Sequence, residues 1–155
     1  MELSNQFTNI DVSRKLKNMG VPQESLFVWE YLDQNCYGIK YIPFAVVPNF
    51  VNNYELFSAF SVSELLEFLP ACIDTKFNEP FNNFWLHIIK RSSLNIQYIC
   101  KYVCDTYSIE QVIKNKHTFS ETLCAKAHDE SLANCLAKTL ISLIEQNLIK
   151  VGDLK

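Results

Sequence analysis

Residues 129 to 148, DESLANCLAKTLISLIEQNL, constrain the chain most, because their apolar residues recur at helical spacing for about five turns. Steps of about 100° place Leu132, Ala133, Cys135, Leu136, Ala137, Leu140, Ile141, Leu143 and Ile144 on one broad face. Asn134, Lys138, Ser142 and Glu145 lie opposite. An apolar arc this wide has to be covered by the rest of the chain, so the segment is expected to be the helix on which the fold packs. Asp129 or Ser131 can cap its start, and Gly152, just past Lys150, is its expected stop.

What covers that helix is bounded by size. A chain of 155 residues with 48% hydrophobic content can bury one core and is too short for two ordinary domains, so a single domain over 1–155 is expected. No stretch approaches the roughly 18 apolar residues of a membrane span, and MELSNQFTNIDVSRKLK shows no apolar run after a basic start. The expectation is a cytoplasmic protein with no membrane association. A net charge of -3, with Lys and Arg scattered along the chain, lacks the basic footprint of a nucleic-acid binder, and no nucleic-acid partner is expected. The six cysteines, without an export signal and several at core positions, read as reduced thiols.

Taken in order, DVSRKLKNM is a short amphipathic helix with Asp11 as its cap, Val12, Leu16 and Met19 on one face, and Gly20 and Pro22 beyond its end. LFVWEYL and IKYIP, joined through DQNCYG, read as a β-hairpin. Residues 43 to 60 carry two prolines and many rings without a sustained period, which predicts an irregular aromatic segment. Ser61 and Glu64 form a capping box before SVSELLEFL, with Val62, Leu65, Leu66 and Leu69 inward and Pro70 at the end. ACIDTKFNEPFNN reads as a loop. FWLHIIKR and LNIQYICKYVC, around Ser92 and Ser93, form a second hairpin at the centre of the sheet. SIEQVIKN is a short helix opened by Ser108, and HTFSETLCAKAH leads into the long helix. The class is α+β: an antiparallel sheet built from two β-hairpins, packed against the long C-terminal helix and shorter helices.

Three segments, VPQESLFVWE, FSAFSVSELLEFLP and ANCLAKTLISLIEQNLI, occur in an order that resembles a family of small phage- and prophage-associated bacterial proteins of unknown function. Those relatives carry a Gln-Glu-Ser segment leading to Phe and Trp, an Ala-x-Glu-Leu segment ending in Leu-Pro, and an Ala-Lys-x-Leu-Ile tail. Ser63 stands here before the Glu-Leu pair. The resemblance implies neither an activity nor catalytic residues; it implies an accessory protein of phage or mobile-element origin.

The residues themselves offer three kinds of chemistry. Cys100, Cys104, His117, Cys124 and His128 are zinc-type ligands, yet residues four apart on a strand stand about 13 Å from each other, so no metal and no cofactor is expected. A hairpin symmetric about the two serines would set His87 opposite Tyr98 and diagonal to Cys100, a thiol and imidazole on one face. No nucleophile motif surrounds that pair, so a small enzyme using His87 and Cys100, like a metal-stabilised module, is an alternative only. The carboxylates Glu64, Asp129 and Glu130 have helix-capping roles and supply no acid–base pair. No catalytic residue is assigned. The third kind is an aromatic patch of Phe44, Phe50, Tyr54, Phe57 and Phe60, the expected binding residues of a non-enzymatic domain whose partner is a protein or a second copy in a homodimer.

Overall fold

In the computed structural model, which describes residues 6–33, 36–41, 56–74, 83–92, 97–106 and 120–154, the first amphipathic stretch forms α1 (Ile10–Asn18). Its cap is Asn9 and not Asp11: the Asn9 side chain accepts the Val12 amide at 2.9 Å, and Asp11 sits in the first turn. Val12 and Leu16 are buried as the spacing predicts. The helix closes at Gly20, whose φ of 84° suits a residue without Cβ, and the Val21 amide reaches back to the Leu16 carbonyl at 3.1 Å.

The first hairpin is β1 (Phe27–Asp33) with β2 (Cys36–Tyr41), and Asp33 stands opposite Cys36. Cys36, Tyr37 and Gly38 therefore belong to the strand, where the sequence reads as a turn. A two-residue strand, β3 (Phe57–Ser58), pairs with the other side of β1 and makes a three-stranded antiparallel sheet, β2-β1-β3. Polar contacts fix this sheet to the N-terminal segment: the Trp29 indole donates to the Thr8 carbonyl at 2.8 Å, and the Ser58 amide to the Gln23 side chain at 2.9 Å.

α2 (Val62–Phe68) carries the predicted capping box, with the Glu64 amide donating to Ser61 Oγ and the Ser61 amide to the Glu64 carboxylate at 2.7 Å. Leu65 and Leu69 point inward, whereas Leu66 is exposed. Beyond Pro70 the chain enters β4 (Cys72–Asp74), the edge of a second antiparallel sheet completed by β5 (Asn83–Arg91), β6 (Gln97–Thr106) and β7 (Ser120–Asp129), in the order β4-β5-β6-β7. β4 lies in what reads as a loop, and β7 in what reads as the approach to the long helix. Both are short of apolar alternation because their neighbours supply the pairing: β5 for β4, and β6 along the whole of β7. The segment SIEQVIKN lies outside the described residues.

α3 (Leu132–Glu145) is the long helix, with Ser131 as its cap. It ends at Asn147, whose φ is 57°, with the Leu148 amide bonded to the Leu143 carbonyl at 2.9 Å. Gly152, the stop expected from sequence, sits instead in a 3-10 turn, Val151–Asp153. α3 lies across β6 and β7, where Ala125 and Ala127 leave room for the helix to approach. Leu136, Leu140 and Leu143 share one buried cluster with Leu16, Phe60, Leu65, Cys100 and Tyr102, and the Tyr102 hydroxyl donates to the Pro70 carbonyl. The architecture is α+β with the C-terminal helix packed on an antiparallel sheet, each hairpin building its own sheet. Among the described residues no helix is long and apolar enough to cross a membrane.

Candidate functional site

The aromatic segment is the first place to look, and the structure turns two of its five rings inward. Pairing with β1 fixes Phe57, which is buried beneath the Arg14 guanidinium at 5.1 Å and the Lys17 ammonium at 4.9 Å. Phe60 is buried edge-on against Phe68, with ring centres 5.7 Å apart. These two rings are held within the fold. Phe44, Phe50 and Tyr54 lie outside the described residues.

The thiol–imidazole pair is separated by register. His87 stands opposite Lys101 and Cys100 opposite Ile88, so the two side chains project from opposite faces of the sheet. Arg91 pairs with Gln97, which moves the centre of the hairpin past the two serines and shifts the pairing by three residues from the symmetric expectation. An odd shift exchanges the faces. Cys100 is buried under α3 beside Cys135. The hydrogen bond with Cys135, burial and the charge it would meet there push the Cys100 thiol far above its ordinary range. Cys135 Sγ donates to the carbonyls of Tyr98 and Ala127 at 3.3 and 3.4 Å. A protonated, inaccessible thiol is not a nucleophile.

The zinc-type residues are dispersed too. Cys100 and Cys104 occupy one strand, His128 is exposed on the face away from α3, and His117 lies outside the described residues. Among the described residues no group of three His, Cys, Asp or Glu side chains could hold a metal ion. Cys72, Cys100 and Cys135 are free thiols. The carboxylates are occupied by structure. Asp129 accepts from the Ser131 amide at 2.8 Å and from Lys138 at 2.6 Å. Burial works against its charge, but hydrogen bonds from Lys138, the Ser131 amide and Asn134 outweigh that and hold its carboxyl below the ordinary value of 3.8. A groove of about 370 Å³ between α1 and α3, floored by Val12 and Ile141, is lined by Lys15 and Glu145, which form an ion pair at 2.8 Å. No cysteine or histidine lines it.

The feature that the fold does not use is on β5. Phe84 and Leu86 turn toward the helices, while Trp85, His87, Ile89 and Arg91 alternate onto the opposite face. Trp85 is 54% exposed and Ile89 37%, and Ile88, although on the helix side, is 42% exposed because the helices stop short of it. Toward the open end of the β5–β6 hairpin the charge is of one sign, with Asp74 at the other end of β5 and Asp129 opposite Tyr98 on β7. Residues 86 to 91 of β5 and their partners 97 to 102 on β6 include Lys90, Arg91 and Lys101 and no carboxylate. Lys126 and His128 on β7 continue the outer face. Sequence reasoning passed over Trp85, Ile88 and Ile89 because an apolar run in a central hairpin reads as core. The available signal was that Trp85 and Ile89 share the face opposite Phe84 and Leu86, in a chain with one long helix to cover one side of the sheet. Comparison with models of known protein families, with curated proteins and with solved structures gave no match.

Proposed function

We propose that the protein is a non-enzymatic, cytoplasmic interaction domain that binds another protein through the exposed part of β5. The observation that carries this reading is the pair Trp85 and Ile89, large apolar side chains exposed on one face of β5, with Ile88 exposed beside them on the other face. Exposed apolar clusters rimmed by polar groups mark interaction surfaces, and aromatic anchors commonly dominate their energetics. The accessory role in a phage or mobile element rests on the ordered likeness of the three sequence segments, and the cytoplasmic setting is supported by the free thiols.

A photo-reactive residue placed at position 85 tests the reading, with the same residue at exposed Gln146 as the control. In a lysate of the cells that make the protein, position 85 is expected to give one discrete adduct. Excess wild-type protein competes it away, and a Trp85→Asp variant does not. A smear equal at both positions, or no adduct, removes the proposal.

A further inference from the structure

We infer that the open edge of β5 at Ile88 to Arg91 is a strand-addition site for an extended, acidic segment of a partner protein, an inference that rests on the interaction reading above. The phase of the edge follows from one bond. The Leu86 amide donates to the Ala71 carbonyl at 3.1 Å, so Leu86 aims its backbone groups away from β6, and by alternation Ile88 and Lys90 do the same. β4 covers only Asn83 to Trp85, and upstream of Ala71 the chain leaves the sheet through Pro70 into α2. Among the described residues nothing pairs with the outward amides and carbonyls of Ile88 and Lys90.

Such an edge is a template for another strand, and proteins commonly guard it with charge or proline. Here the guard is weak. Ile88 stands exposed at the open position, and the Lys90 ammonium is drawn over the Tyr98 ring, 5.9 Å from its centre. Backbone hydrogen bonds would supply affinity to an added strand, and the alternating side chains would supply choice. Ile88 and Ile89 call for apolar residues in that strand, and Lys90 and Arg91, with no carboxylate in residues 84 to 91, call for acidic ones. A second copy is a poor occupant, because edge-to-edge pairing about a two-fold axis would bring the same cations together. A single-stranded nucleic acid would use the Trp85 face and leave the edge groups unpaired.

The probe is a capped peptide of about eight residues with two adjacent valines at its centre and glutamates on either side, followed by backbone amide resonances of the full chain. The expected result is shifted resonances and slowed hydrogen exchange at Ile88 and Lys90. Ile88→Pro removes an amide that β6 does not use, in a setting where an edge strand tolerates proline, and should weaken binding at least about tenfold. Ile88→Glu, at a site already exposed, should do the same without unfolding the chain. A valine–lysine peptide should not bind. The inference is overturned if Ile88 and Lys90 do not respond, or if binding survives both substitutions. It is also overturned if sedimentation shows self-association that Ile88→Glu abolishes, which makes the occupant a second copy, or if oligo-dT binds and the acidic peptide does not. A discrete adduct from position 85 without an edge response removes the edge and leaves the interaction reading standing. Failure of both removes both.

Discussion

Asp129 joins the last strand to the long helix, and its chemistry sets a pH dependence. Because the Lys138, Ser131 and Asn134 contacts lower its folded pKa beneath 3.8, the group stabilises the fold above that value and the contribution is lost as pH falls through the lower, folded value. Asp129→Asn should cost about 1 kcal/mol at neutral pH, since the partly exposed ion pair adds little to the lost charged cap. The difference from wild type should shrink below 3.8, and denaturant melts at neutral pH and at about pH 3 measure it. A gap that persists in acid assigns the effect to shape and not to charge. Leu140, fully buried under the same helix, is the contrasting case. Leu140→Ala should cost about 2 to 5 kcal/mol at either pH, against almost nothing for exposed Glu67→Ala. Equal small losses in urea would remove α3 from the core.

The ends of the elements show which local signals can be read without a structure. The capping box at Ser61 and the apolar arc of α3 were legible because both are written within a few residues of each other. α3's stop was not, since Asn147 occupies the left-handed position more often given to glycine. Asn147→Ala should lower stability by about 1 kcal/mol, and Asn147→Gly should hold or raise it. Thermal melts of the pair decide whether the left-handed turn or the asparagine side chain matters. β7 was hidden because Ala125 and Ala127 favour helix locally, and only pairing with β6 makes a strand of them. The candidate site was hidden for a related reason. Whether His87 meets Cys100 depends on the length of the hairpin connection, and nothing in the strands themselves states that length. The exposure of Ile88 depends on where distant helices end, a property of the assembled fold that no local pattern carries.

At the scale of the whole molecule, apolar burial is uneven. Among the residues whose burial is described, the cluster built from α1, α2, α3 and the four-stranded sheet contains none of β1, and Phe27, Val28 and Trp29 are only half-buried. Beyond buried Phe57 and the Phe7–Phe27 ring contact, the described ties of the three-stranded sheet are polar: Trp29 to the Thr8 carbonyl, Ser58 to Gln23, and Lys17 to the Leu56 carbonyl at 3.1 Å. Contacts of that kind contribute about 1 kcal/mol each, whereas fully buried leucines contribute several times as much. The small sheet should therefore open at lower cost than the α3–β6–β7 layer, as a separate cooperative step. The chain's two tryptophans report on it independently, because Trp29 lies in the small sheet and Trp85 in the large one. With Trp85→Phe in place, Trp29 emission should change at lower urea than the far-ultraviolet signal of α3, and β1 amides should exchange before those of β6. Coincident transitions for Trp29 and the helix, with β1 amides exchanging as slowly as β6 amides, would mean that the two sheets unfold as one unit and that polar attachment couples them as tightly as a shared core.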